Sequence, residues 1–157
     1  MSKKWGSADF AQLKALQERL QKLERMDLDK FCEDCSKELA ARLLALVIPR
    51  TPVGQYSKDS GKKGGTLRRG WTGKQNKSSG TAYAQSLPIT KKGSTYTIEI
   101  INPVKYAEYV EFGHRTPNGG WVNGQYFLTF SEKELERIAP ALIEKKLNAL
   151  LKEVFNV

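Results

Sequence analysis

Few residues in this 157-residue chain could carry chemistry, and each has a spacing that tests the idea. Two cysteines stand as Cys32-x-x-Cys35, a spacing used by zinc and redox sites. A four-thiolate zinc site needs a second pair, which the chain lacks, and the single histidine, His114, is far away in sequence. A thioredoxin-type pair opens a helix that follows a strand, whereas these two lie within an apolar helical stripe. They read as reduced thiols packed as small hydrophobes, in keeping with a reducing cytoplasm.

Phosphate and acyl-transfer chemistry fail on spacing. A Walker loop ending at Gly61-Lys62 would need glycine at Tyr56 and serine or threonine at Lys63, and no G-x-G-x-x-G occurs. No Gly-x-Ser-x-Gly elbow supports a hydrolase, so His114 reads as a surface or interface residue rather than a general base. Glu108 and Glu111, three apart, read as a solvated helix face or as ion-pair partners. The expectation is a protein that is not an enzyme and holds no metal and no cofactor.

The remaining candidate is a basic segment. Ten basic residues lie between Arg50 and Lys92 against the single acid Asp59, so this stretch carries the whole net charge of +9 and the rest is neutral. It is rich in glycine, and its Arg68-Arg69-Gly70-Trp71 core mixes cations with an aromatic as nucleic-acid binders do. Three readings stay open: a solvated loop, a surface that docks on acidic proteins, and a nucleic-acid contact using Arg68, Arg69, Trp71 and Lys74 within the loop 50–92.

The elements that must position these residues follow from hydrophobic period. From Ala8 to Arg25, Phe10, Leu13, Leu16, Leu20 and Leu23 make one helical face, with Ser7 as N-cap. Asp27 caps a second helix that should stop near Ile48, ahead of Pro49 and Pro52. The segment 50–81 reads as a long basic, Gly-rich loop. Tyr83–Ile89 and Thr95–Ile101 read as an antiparallel hairpin turning at Lys91–Ser94, with Tyr96, Ile98 and Ile100 on one face. Val104–Phe112 reads as a short helix ended by Gly113, with Tyr106 in the core. Thr116–Gly120 and Trp121-Val-Asn-Gly-Gln125 are turn signals, and Tyr126–Phe130 reads as a last strand. Ser131 and Glu134 form a capping box for a C-terminal helix that Pro140 should kink or split. The fold class is therefore α+β: an antiparallel sheet packed on long N- and C-terminal helices. One domain is expected over 1–157, divided as helix 1–26, helix 27–48, loop 50–81, sheet with short helix 82–130, and helix 131–157. No stretch is long and apolar enough to cross a membrane, and the polar Met-Ser-Lys-Lys start suggests no secretory signal.

One set of residues is distinctive as a pattern. Tyr106-Ala-Glu-Tyr-Val-Glu-Phe-Gly-His-Arg-Thr116, then Gly120-Trp-Val-Asn-Gly-Gln-Tyr-Phe-Leu128, resembles the phage tail-component family typified by the gene-ten product of phage HK-ninety-seven. Arg50-Thr-Pro-Val53 and Gly65-Thr-Leu-Arg-Arg-Gly-Trp71 look like its upstream signature, with a longer spacer than usual and Gly70 where serine is common. The likeness runs over about Leu39 to Leu142. It implies a non-enzymatic virion part, assembled in the bacterial cytoplasm, at the neck or tail terminus. It further implies a homo-oligomeric ring, typically a hexamer, that meets connector and tail-tube proteins and comes close to packaged DNA. Carried over by motif, Tyr109, Glu111, Phe112, Gly113, His114 and Arg115 lie at or near an inter-subunit or inter-ring contact. Arg68, Arg69, Trp71 and Lys74 belong to the loop that reaches a partner.

Overall fold

A computed structural model describes residues 10–24, 27–73 and 80–155 of the chain. The expected cap Ser7 and the basic residue Lys74 lie outside them. The fold is α+β, with a long helix toward each end. Six α-helices, α1 (Phe10–Glu24), α2 (Leu28–Arg50), α3 (Thr66–Gly70), α4 (Gly80–Ser86), α5 (Ala107–Phe112) and α6 (Phe127–Phe155), are present among the described residues. The strands are β1 (Ile89–Lys92), β2 (Thr95–Ile98), β3 (Gly113–Arg115) and β4 (Trp121–Asn123). They form two separate antiparallel pairs, β1–β2 and β3–β4, in place of the single sheet expected from the sequence.

Helix α2 is the axis of the core. Asp27 accepts from the Lys30 amide at 3.0 Å, the cap that its position before an apolar stripe predicts. Pro49 sits inside the last turn, so the helix runs to Arg50 rather than stopping at Ile48. Leu44 and Val47 are fully buried and pack with Ala40, Leu67, Trp71, Ala84 and Phe127. The Trp71 and Phe127 rings meet edge to face at 6.3 Å, joining the α3 turn to the start of α6.

Three segments differ from the sequence expectation, each for a nonlocal reason. Residues 80–86 are helix α4, not the first strand. Gly80 and Ala84 present small faces to α2, and a Cβ added at Gly80 would meet Leu44 Cβ at 3.0 Å. The Lys37 ammonium then donates to the carbonyls of Ala84, Gln85 and Leu87 at the end of α4, the helix pole that favours a cation. The hairpin begins later, pairing Ile89 with Ile98 and Lys92 with Thr95 around Gly93-Ser94.

The second difference lies at residues 121–123, which form a strand opposite Gly113–Arg115 rather than part of a turn. The third is that Tyr126–Phe130 opens α6 instead of forming a strand. Ser131 is therefore an interior helix residue whose hydroxyl donates back to the Phe127 carbonyl at 2.6 Å, and the expected capping box does not exist. Helix α6 continues past Pro140 to Phe155 without splitting.

Candidate interface: two clasps and an aromatic face

The first clasp ties the end of α2 to α3. Thr51 is fully buried; its hydroxyl donates to the Val47 carbonyl at 2.7 Å and accepts from the Trp71 indole N–H at 2.7 Å. The Arg68 guanidinium donates to the Thr51 carbonyl through Nε at 3.1 Å and Nη2 at 2.8 Å, and to the Pro49 carbonyl at 3.2 Å. A cation thereby satisfies carbonyls that a helix end leaves without partners. Arg69 bonds the Gly64 carbonyl at 3.2 Å, and Arg50 pairs with Glu134 and Ser131 on α6. Asn102 completes the clasp by donating to the Leu67 carbonyl at 2.8 Å while accepting from the Val104 amide at 3.2 Å. Its side-chain oxygen would lie 2.2 Å from a Cβ at position 70, which is why glycine stands there.

The basic segment is thus not a continuous loop over its described part. It contains a 3₁₀ turn at Lys58–Ser60 and helix α3, and its three arginines are committed to the fold. Trp71, a candidate contact residue on sequence grounds, is only 3% exposed and belongs to the core. Among the described residues of this segment Lys58, Lys62, Lys63 and Lys92 face outward without an ion pair. The Lys62 ammonium stands 5.9 Å from the centre of the exposed Tyr56 ring.

The second clasp ties α5 to α6. Glu111 is 4% exposed, and its carboxylate accepts from the amides of Leu128 and Thr129, each at 2.9 Å, and from the Thr129 hydroxyl at 2.6 Å. It is the N-terminal cap of α6, supplied from 17 residues upstream because no Ser, Thr, Asp or Asn stands immediately before that helix. The backbones run close enough to bond directly: the Gln125 amide donates to the Val110 carbonyl at 2.8 Å, and the Tyr126 amide to the Glu111 carbonyl at 3.0 Å. This approach requires Gly124, where a Cβ would sit 2.2 Å from the Glu111 carbonyl oxygen. It also requires Gly113, whose φ of +88° and 2.4 Å clearance to the Val122 carbonyl exclude a side chain. Glu111, placed at a partner contact by motif, is occupied inside the chain.

The same elements turn their other side outward. Tyr109, Phe112, Trp121 and Phe130 are each between 57% and 60% exposed, with Tyr106 and Tyr126 beside them at 44% and 42%. Tyr106 is therefore a surface residue and not part of the core. Phe112, Tyr126 and Phe130 form a chain of edge-to-face contacts, with centroids 6.4 and 6.3 Å apart. His114 stacks edge-on to Tyr109 at 5.8 Å, and its Nδ1 lies 3.4 Å from the Tyr109 carbonyl. Arg115 is exposed beside it. An apolar cleft lined by Ile100, Ile101, Ala107, Phe112 and Leu128 runs along the edge of this face. Exposed, mutually packed rings such as Phe112, Tyr126 and Phe130 are a feature of interaction surfaces.

The two clasps and the aromatic face are built from the residues that make the sequence pattern distinctive. A family model described as "Bacteriophage HK97-gp10, putative tail-component" matches residues 14–113, nearly two thirds of the chain. The chain belongs to this family of phage tail components. The match takes in the central side chain of each clasp, the donor Arg68 and the acceptor Glu111, and ends at Gly113, so β4 and the start of α6 lie beyond it. No curated protein and no solved structure matches the chain.

Cys35 is buried and Cys32 half-buried, both as free thiols, and burial pushes the Cys35 thiol above its usual range, away from the reactive thiolate. Among the described residues no group of three or more His, Cys, Asp or Glu side chains could hold a metal ion, and no helix is long and apolar enough to cross a membrane.

Proposed function

We propose that this protein is a structural component of the phage virion at the neck or tail terminus. It would complete the tail and join it to the head, acting by assembly and without catalysis. The observation that carries the proposal is the aromatic face of Tyr109, Phe112, Trp121, Tyr126 and Phe130, held rigid by the Glu111 clasp in a member of a tail-component family. Exposed aromatics on a rigid backing are what a protein contact uses for affinity, since they bury large area at low entropic cost.

In this reading copies of the chain form a closed ring, a hexamer by analogy with tail symmetry, assembled in the host cytoplasm. Ring contacts are heterologous, so the aromatic face of one subunit meets a different surface of the next, or of a connector or tail-tube protein. His114 and Arg115 would form the polar rim of the contact. Lys58, Lys62 and Lys63 would meet acidic protein surface. A contact with packaged DNA through the same lysines is the second reading, supported by the Lys62–Tyr56 stack.

Epitope-tagging the chain and imaging purified virions tests the proposal. Label at the head–tail joint, and unjoined heads and tails when the chain is withheld, are the expected results. A virion that lacks the chain while remaining infectious sinks it. Native mass spectrometry of the isolated protein reads the ring directly. A salt series on DNA binding, comparing Lys58→Ser/Lys62→Ser/Lys63→Ser with the parent, decides between the two partners of the lysines.

A further inference from the structure

Helix α1 carries Leu13, Leu16, Leu20 and Leu23, alternating three and four apart, the a and d positions of two heptads. Three of these leucines face solvent: Leu13 at 60%, Leu16 at 46% and Leu20 at 51% exposure, with Phe10 at 70% one turn earlier. Helix α1 buries no residue, although it rests against α6. A leucine seam this exposed is unfinished without a second surface.

The flanking residues say which surface finishes it. Gln12 and Arg19 occupy the g positions beside the seam, and Gln17 and Glu24 occupy the e positions. In a parallel, in-register pair each g residue faces the e residue five places later in the partner. Gln12 then faces Gln17, and Arg19 faces Glu24, twice over by symmetry. An antiparallel pair instead sets g against g and e against e, which loses the acid–base match. Neither Arg19 nor Glu24 forms an ion pair among the described residues, so both are available.

We propose that α1 is a self-docking helix whose leucine seam pairs in parallel with α1 of another copy of this chain. Two heptads are short for an isolated coiled coil, so the seam works as a tether between subunits brought together at high local concentration. The proposal does not rest on the tail-joining reading and uses none of its aromatic face.

Sedimentation of the full chain from low to high micromolar concentration tests it, with circular dichroism confirming that each variant folds. The parent is expected to associate in a concentration-dependent way, and Leu13→Asp/Leu20→Asp to lose that component. Arg19→Glu alone and Glu24→Arg alone should each weaken association about fivefold. The double variant Arg19→Glu/Glu24→Arg should recover it, as should an equimolar mixture of the two single variants. A parent whose sedimentation Leu13→Asp/Leu20→Asp leaves unchanged at every concentration overturns the proposal, whether the species they share is a monomer or a ring. Single charge reversals that the double variant does not rescue overturn the parallel pairing. A ring built through the aromatic face would persist in every α1 variant, which separates failure of the tether from failure of the tail assignment.

Discussion

Glu111 and Phe112 are neighbours in the chain and belong to opposite regions of the molecule. The carboxylate points inward and holds the first amides of α6, whereas the phenyl ring points outward with Tyr126 and Phe130. The same division runs through the upstream motif, where Trp71 is sealed in the core and Lys62 and Tyr56 stand outside. One short pattern therefore does two jobs. Its polar and glycine positions lock the backbone, and its aromatic positions use that backbone as a mount. Substitutions on the inner side should act through stability, and those on the outer side through assembly.

The largest expected effect lies inside. Trp71→Ala removes the ring that bridges α3, α2 and Phe127 and takes away the indole N–H that Thr51 accepts. Truncating a buried tryptophan costs about 3–5 kcal/mol, which should appear as a large drop in the urea midpoint. A drop of under about 1 kcal/mol would mean that the Trp71 pocket collapses freely and that the inner region is not a rigid mount. Glu111→Ala comes next at about 2–3 kcal/mol, since it strands two helix amides and the Thr129 hydroxyl. Glu111→Gln, which keeps one acceptor oxygen, should lose less. Equal losses for the two variants would indicate that the negative charge at the helix pole, rather than hydrogen-bond geometry, dominates the cap.

The contrast also explains what could be read in advance. Helices α1 and α2 were legible because their apolar spacing repeats over many turns and Asp27 marks a start locally. Helix α4 and the first turn of α6 were misread as strands. Tyr126-Phe-Leu-Thr-Phe130 has strand-like composition, and the group that makes it helical is Glu111, on another element. The available signal was negative: a long apolar helix with no local cap, preceded by an aromatic stretch holding two carboxylates, Glu108 and Glu111. Similarly, Arg68 and Trp71 read as free contact residues because their partner, Thr51, lies 17 and 20 residues upstream and gives no local sign of burial. On the outer side, of the residues singled out by the family pattern, Tyr109, Phe112 and Arg115 are exposed and His114 is half-buried.

Outside, the expected signature reverses. Phe112→Ser/Phe130→Ser removes two exposed rings from the aromatic chain, and the change in unfolding free energy should stay near or below about 1 kcal/mol. Incorporation of the variant into virions should nevertheless fail, read as loss of the chain from purified particles at normal intracellular level. A variant that assembles normally would move the contact elsewhere on the surface. One that unfolds would show that the aromatic face supports the fold after all.

The smallest effect is expected where the hairpin meets α2, which shares in neither region. The Asp29 carboxylate accepts from the Lys91 ammonium at 2.6 Å and from the Tyr96 hydroxyl, with Asp29 and Lys91 exposed and Tyr96 half-buried. The bonds from Lys91 and then Tyr96 hold the Asp29 carboxyl below its usual range, and the bond to Asp29 holds both Lys91 and Tyr96 above theirs. The carboxylate contribution is therefore complete above the ordinary carboxylate range and is lost as pH falls through the depressed value. The contributions of Lys91 and Tyr96 are complete below their ordinary ranges and are lost as pH rises through the raised ones. The tie should hold steady across neutral pH and loosen at both extremes. Surface exposure keeps the effect small, so amide exchange at Tyr96 and Thr97 is the appropriate measure rather than global unfolding. Asp29→Asn should flatten the acid side of that profile without lowering protection at Leu44 or Val47. Equal loss of protection in hairpin and core would mean that β1–β2 is part of the same cooperative unit as the clasps. Loss confined to the hairpin would leave it as a separately hinged element on the rim of α2.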